Sequence, residues 1–168
     1  MNELIIKAKK GDKEAFTQLI FSIEDEIYKI AKTRLQNDED VFDAIQETMI
    51  SAYKSIHKLR EVNYFKTWFI KILINKCNDI YRKKKVITID FNEKEIANTD
   101  INSVIENLDF NMIMNVLNYD ERIAITLYYL EKFTTKEISI LLNTNENTIK
   151  TRLSRAKNKI KNNYKGDL

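Results

Sequence analysis

The chain has no proline and only two glycines, Gly11 and Gly166, among 168 residues. Hairpins and sandwiches need turn glycines, so an all-β fold has almost nothing to build its turns from. A glycine-rich phosphate loop is excluded for the same reason. The single cysteine, Cys77, permits no internal disulfide. With the single histidine, His57, it makes neither a zinc set nor a nucleophile–base pair. No apolar run approaches the roughly 20 residues that cross a bilayer. The opening residues have no signal-peptide pattern, since Lys7, Lys9 and Lys10 follow a very short apolar run. The expectation is a cytoplasmic chain that does not insert in membranes, with no catalytic residues, no metal site and no cofactor.

What the chain does have is charge and helical periodicity. Apolar residues recur at three- and four-residue spacing along nearly its whole length, which predicts an all-α protein. A short helix is expected over Asn2–Lys9, ended by Gly11–Asp12, with Asp12 capping the next. From Ala15 the stripe Phe16, Leu19, Ile20, Ile23, Ile27, Ile30, Ala31, Leu35 marks one long helix or two joined ones. A further helix is expected from about Asp38 to Ser55, beginning in acids that offset the macrodipole. His57–Asn63 reads as a loop, and Tyr64–Arg82 as a long helix that includes Cys77 as a packed thiol. Lys83 to about Asn102 reads as an extended linker. Beyond it, helices are expected over Val104–Leu117 and Tyr119–Leu130. Thr134 and Glu137 then stand at capping-box spacing before a helix over Lys136–Leu142. The domains this implies are residues 1–84, a flexible linker 85–102, and residues 103–168.

Net charge is only +3, but its distribution is uneven. Lys66–Lys85 holds seven basic residues against one acid, and Lys132–Lys165 nine against two. Val86–Glu121 holds eight acids and one lysine, and Glu24–Glu47 eight acids against three bases. Two basic patches apart from one another point to two contacts with a polyanion. In NENTIKTRLSRAKNKIK, Asn145–Lys161, the residues Thr148, Ile149, Leu153, Ala156 and Ile160 share one face and basic residues cover the rest. With the shorter segment before it and the break Asn143–Thr144–Asn145, this is the layout of a helix-turn-helix. In Tyr64–Arg82, aromatic and basic residues interleave, and Lys66, Lys71, Asn75, Asn78, Asp79 and Arg82 fall away from the apolar stripe. Such groups suit phosphates, base edges and unstacked bases.

WFIKILINKCNDIYR resembles the helix in the second conserved region of extracytoplasmic-function sigma factors of the sigma-70 family, with Trp68, Phe69, Ile72, Asn75, Asp79 and Arg82 at the family spacing. FDAIQETMISAY resembles the element upstream of it, matched by Asp43, Gln46 and Glu47. GDKEAF resembles the start of the family's first helix. TTKEISILLNTNENTIKTRLSRAKNKI resembles its fourth region, matched by Glu137, Ile138, Leu142, Thr148, Arg152, Leu153, Arg155 and Ala156. Three departures stand out. Phe42 replaces the usual glutamate, Asn143 and Asn147 replace glycines, and Lys132–Phe133 replaces a glycine-containing bend.

The resemblance implies a sigma factor whose partners are core RNA polymerase, promoter DNA and an anti-sigma factor. It implies polymerase binding through Asp43, Gln46 and Glu47. It implies minus-ten strand binding through Lys66, Lys71, Asn75, Asn78, Asp79 and Arg82, with Trp68 mainly structural. Duplex reading at the minus-thirty-five element falls to Thr148, Lys150, Thr151, Arg152, Ser154 and Arg155. For Arg152, base readout, a phosphate clamp and an ion pair within the domain all stay open. The second reading is a stand-alone helix-turn-helix regulator that binds duplex operators without polymerase; the interleaved Tyr64–Arg82 stretch argues against it.

Overall fold

The computed structural model describes residues 1–35, 37–87 and 116–163, and within them every regular element is helical. Five helices form the N-terminal half: α1 (Asn2–Lys9), α2 (Lys13–Phe21), α3 (Glu24–Arg34), α4 (Asp38–Ser55) and α5 (Phe65–Ile87). Gly11, at φ 94°, makes the turn between α1 and α2. Asp12 caps α2, its Oδ1 accepting from the Ala15 N–H at 3.0 Å. The stripe from Ala15 to Leu35 belongs to two helices. Ser22 donates its hydroxyl to the Leu19 carbonyl at 2.7 Å, and Ile23 leaves helical geometry at φ −127°, ψ 11°. Asn37 caps α4 by accepting from the Glu39 N–H at 2.8 Å. The expected loop over 57–63 is built from two 3₁₀ turns, Ile56–Lys58 and Val62–Tyr64, with Leu59 buried between them.

Helix α5 begins at Phe65 and continues past Arg82 to Ile87, so residues 83–87, expected in the linker, prolong it. Lysine is a good helix former, and Lys84 is tied to Asp40 of α4 at 2.6 Å. The rest of the linker and the helix expected over Val104–Leu117 lie outside the described residues, save Val116 and Leu117, which form a turn. Phe65, Phe69, Ile70, Leu73, Ile74 and Cys77 run along the buried side of α5 and close the core with Leu19, Ile27 and Ile30. Trp68 is half-buried and tilts against Phe65 at 6.1 Å.

The C-terminal half has α6 (Tyr119–Ile125), α7 (Thr135–Leu141) and α8 (Glu146–Asn163). The single helix expected over Tyr119–Leu130 changes gauge at Thr126, and Thr126–Leu130 forms a wider π turn. The box at Thr134 and Glu137 is present, with the Glu137 N–H on Thr134 Oγ1 at 3.2 Å and the Thr134 N–H on Glu137 Oε2 at 2.8 Å. A second box, Asn118 with Glu121, starts α6. The Glu121 carboxylate is buried and also accepts from Lys159 of α8 at 2.8 Å. Ile123, Leu127, Ile138, Leu141, Ile149, Leu153 and Ala156 make the core of this half. Among the described residues no helix is long and apolar enough to cross a membrane, and no cluster of histidine, cysteine and carboxylate groups is placed to hold a metal.

Lys132 and Asn143 adopt left-handed backbone, at φ 60° and φ 51°, the region that favours glycine. Asparagine tolerates this conformation, whereas lysine is held there against its preference. Lys132→Gly is therefore expected to raise the stability of the fold by about 0.5–1 kcal/mol, read by denaturant unfolding. Burial pushes the Cys77 thiol up to about 12. The stability this contributes is complete below about pH 8.5, the range of a free thiol. It is lost as pH climbs through the folded value. Cys77 should resist thiol reagents at pH 8 until the chain unfolds, and Cys77→Ala should flatten the alkaline part of the stability curve.

Candidate nucleic-acid interface

On α4, Val41, Ala44, Thr48 and Ala52 face the core, so Asp43, Gln46 and Glu47 are turned outward and exposed. Glu47 accepts from Lys76 of α5 at 3.1 Å. Phe42, 55 % exposed, tilts against Tyr28 at 6.2 Å, and the Tyr28 hydroxyl donates to Asp38 at 3.2 Å. The surface is thus an acidic helix face with an aromatic pair at one edge.

On α5, Lys71, Asn75, Asn78 and Arg82 follow one another at four-, three- and four-residue steps and form one line, with Asp79 beside it. Asn75, Asp79 and Arg82 are exposed. Lys71 and Asn78 are engaged by the C-terminal half. Lys71 Nζ donates to the carbonyls of Ile140 and Leu141, the latter at 2.8 Å, at the C-terminal end of α7. Burial lowers the Lys71 pKa. Asn78 Oδ1 accepts from the Tyr119 hydroxyl at 3.2 Å. The Tyr119 ring stacks on Tyr81 at 4.7 Å and 23°, and the Arg34 guanidinium carbon lies 4.4 Å from its centre. Burial raises the Tyr119 phenol, with Arg34 opposing.

Lys66 lies off this line at the start of α5, between Glu26 Oε2 at 2.7 Å and Glu131 Oε2 at 3.2 Å. Burial alone would depress its pKa; the two carboxylates outweigh burial and hold it above the usual lysine value. Arg34, Tyr81, Tyr119 and Glu131 had no sequence signal for this seam, because each reads locally as an ordinary helix residue.

On α8, Ile149, Leu153 and Ala156 pack inward. Thr148, Lys150, Thr151, Ser154 and Arg155 are exposed along the outer face. Lys150 pairs with Glu146 one turn earlier at 3.0 Å, and Thr151 Oγ1 returns to the Asn147 carbonyl at 2.9 Å. Glu146 also accepts from Thr135 Oγ1 of α7 at 2.8 Å, which ties the two helices together. The hydrogen bond from Lys150 is the main reason its carboxyl lies below the usual range. Arg152 is half-buried and donates to Asp120 of α6 at 2.7 Å. Of the three roles open to it in the sequence, the structure has the ion pair within the domain.

An exposed acidic helix face, a mixed polar and aromatic helix, and a helix-turn-helix with a basic outer face thus occur in this order along one chain. Residues 19–86 match the family model described as Sigma-70 region 2, and residues 108–160 match Sigma-70, region 4. The chain belongs to the sigma-70 family, as an extracytoplasmic-function sigma factor. It is 29% identical over 152 residues to the RNA polymerase sigma factor SigV of Bacillus subtilis, covering 90% of this chain and 92% of that one. It is 26% identical to the ECF RNA polymerase sigma-E factor of Haemophilus influenzae, covering 95% and 92%. A similar fold occurs in the sigma factor RpoE in its co-crystal structure with the anti-sigma factor NepR from Bartonella quintana, with a TM-score of 0.73, 24% identity, and 91% and 98% of the two chains covered.

A sigma factor is a transcription initiation factor, not a catalyst: it binds core RNA polymerase and directs initiation at particular promoters. The match to region 2 spans the interleaved Tyr64–Arg82 stretch, which argues against the reading as a stand-alone operator binder. Within this sigma factor, Arg152 and Arg155 lie on one helix, the first paired with Asp120 and the second exposed, so truncating them should have different effects. Arg152→Ala is expected to destabilise the fold by about 0.5–1 kcal/mol, the scale of a partly exposed pair. Arg155→Ala should leave the melting temperature unchanged.

Proposed function

We propose that the sigma factor grips core polymerase with the outer face of α4, holds the unpaired minus-ten strand on α5, and reads the minus-thirty-five duplex with α8. The observation that supports this reading is that each surface lies on the side of its helix away from the core packed behind it, giving three chemically different faces, of which the one on α5 is partly met by the C-terminal half. Asp43, Gln46 and Glu47 offer two carboxylates and an amide, which suit charge-assisted bonds to basic side chains on the polymerase. Asn75, Asn78 and Asp79 offer donors and acceptors for base edges, with Lys66, Lys71 and Arg82 for phosphates. Opening a base step costs about 1–2 kcal/mol of stacking. Stacking an unpaired base on an aromatic side chain returns about 1–3 kcal/mol. Tyr64, 60 % exposed at the entry to α5, is available for that.

On α8, Lys150, Thr151, Ser154 and Arg155 lie in the N-terminal part of the helix, where recognition helices meet base edges. Thr148, in the first turn, takes a phosphate with help from the helix N-terminus. Arg152 positions α8 through Asp120 and contributes positive charge to the duplex side. The strand-binding domain is read as ending near residue 84 and the duplex-binding domain as beginning near residue 103, with the acidic linker between. Such a protein works in the cytoplasm, where polymerase and DNA are, and an anti-sigma factor is its expected regulator.

Mixed with core polymerase, the purified chain should start transcription from a cognate promoter, and failure to bind polymerase at all would sink the proposal. Asp43→Arg should weaken polymerase binding at least about tenfold, equivalent to 1.4 kcal/mol, and leave duplex binding by the holoenzyme otherwise intact. Arg155→Ala should weaken minus-thirty-five binding by about 1–3 kcal/mol where it contacts a base, and lower the salt slope by about one where it contacts a phosphate. Loss of polymerase binding in Arg155→Ala, with Asp43→Arg unaffected, would reverse the assignment.

A further inference from the structure

We propose that Lys76 is a further strand-binding residue of α5, held by Glu47 in the free sigma factor and released when polymerase takes that carboxylate. Two ion pairs cross from α4 to α5, Glu47 with Lys76 at 3.1 Å and Asp40 with Lys84 at 2.6 Å. They differ in their surroundings. The Asp40 side chain is 15 % exposed and is not assigned to polymerase. The Glu47 side chain is 53 % exposed and stands on the face that is. A cation arriving from polymerase can therefore reach the carboxylate that holds Lys76. Asp40 keeps its lysine, and Val41, Ala44, Thr48 and Ala52 stay packed behind α4, so the exchange moves side chains and not helices.

Two cations on one carboxylate stand side by side and repel each other, which weakens the bond of each. A guanidinium that takes both oxygens with its fixed pair of donors displaces the ammonium outright. Lys76 has an alternative place close by. It follows Asn75 directly and precedes Asp79 by three residues, on the α4 flank of the line that bears Asn75, Asp79 and Arg82. Its side chain is 28 % exposed, and the flexible four-carbon stem lets the ammonium turn from the flank to the line. Phosphates of a strand held on that line are the anions it meets there. The hold on polymerase and the hold on the strand are thus linked through one carboxylate. Polymerase breaks an ion pair in binding, and the lysine set free strengthens strand binding. Such a linkage is reciprocal, so a bound strand strengthens the hold on polymerase by the same factor.

This inference rests on α4 being the polymerase face and α5 the strand face, and the test keeps the two apart. The full chain is compared with Lys76→Ala, Glu47→Gln and the double variant. Affinity for core polymerase is measured without DNA. Strand binding by the assembled holoenzyme is read with a fluorescent random-sequence single-stranded oligonucleotide over a range of salt, with core polymerase alone as the blank. Lys76→Ala is expected to move the two affinities in opposite directions. It binds core polymerase about two- to fivefold more tightly, because no ion pair has to be broken. Its holoenzyme binds the strand about two- to fivefold more weakly, with a salt slope smaller by about 0.7, the share of one phosphate. The gain in polymerase affinity is absent when Lys76→Ala is added to Glu47→Gln, where the carboxylate is already gone. If Lys76→Ala loses helicity, Lys76→Gln, which keeps most of the stem, decides in its place. A fall in both affinities makes Lys76 a structural residue and overturns the proposal. So does a strand effect with polymerase affinity unchanged, a polymerase gain that persists in the Glu47→Gln background, or a polymerase gain with strand binding unchanged. Asp43→Arg and Arg82→Ala test the faces themselves. Where the first weakens polymerase binding and the second strand binding, a failed Lys76 result counts against this inference alone; where either has no effect, the face it belongs to is wrongly assigned and the inference falls with it.

Discussion

One helix has to be core on one side and polar surface on the other. Along its 23 residues, α5 buries Phe65, Phe69, Ile70, Leu73, Ile74 and Cys77, and it carries Lys71, Asn75, Asn78 and Arg82 on a separate line. Each buried apolar side chain contributes about 1.5–3 kcal/mol, while an exposed or half-exposed polar contact contributes about 1 kcal/mol or less. The apolar side therefore decides where the helix lies, and the polar side is left to exchange partners without moving the backbone. Helices α3 and α4 are fitted to that buried side, and the C-terminal half meets the polar side. The whole arrangement depends on the phase between the two stripes. An inserted residue in α5 would rotate the polar line by about 100° and face lysines into the core.

The parts of the fold that were legible in the sequence are those whose cause is local. Asp12 caps α2 because its side chain reaches an N–H three residues on, and the Thr134–Glu137 box needs only a spacing. The turn of the helix-turn-helix survives with Asn143 at positive φ because asparagine tolerates that backbone. The break at Ser22–Ile23 was not decided by periodicity, because Leu19, Ile23 and Ile27 keep the apolar stripe running across it. The π turn after Ile125 was invisible for a similar reason: widening one turn shifts the phase by only one residue, and Leu127 is buried in either geometry. The lysines after Arg82 looked like linker because charge runs often are; a carboxylate on another helix, Asp40, is what Lys84 answers to.

Of the candidate site, the helices and their outward faces were legible, and the partners of individual side chains were not. Arg152 is the clearest instance. Its position on the basic helix allows base readout, phosphate binding or an ion pair, and only the packing of α8 against α6 brings Asp120 to it. Lys66, Lys71 and Asn78 were selected as groups facing away from the core, which is right. What faces them comes from distant segments, Glu26 on one side of Lys66 and otherwise Tyr119, Glu131, Ile140 and Leu141. Nothing local in either segment encodes that meeting. The Phe42 substitution is intermediate: the loss of a carboxylate is visible in the sequence, while the gain of an aromatic edge with Tyr28 needs the two helices side by side.

The seam between the two halves is made of contacts of intermediate strength. Its stacked rings contribute about 0.5–1.5 kcal/mol, the Arg34 contact with Tyr119 about 0.5–2 kcal/mol, and each hydrogen bond about 0.5–1.5 kcal/mol. Together they amount to a few kcal/mol, before the entropy of holding the halves together is set against them. Shifting a two-state equilibrium from one side almost wholly to the other takes about 5.5 kcal/mol of differential binding. A nanomolar complex supplies about 12 kcal/mol in total. A contact of this size lies within the free energy that a tightly bound partner supplies. A seam built from the same number of buried leucines would exceed that range, and one built only from exposed ion pairs would fall too low to close the chain at physiological salt. Aromatic stacking with a few charge-assisted bonds lies between these limits, and Lys71, Asn78 and Tyr81 are the residues of α5 that carry it.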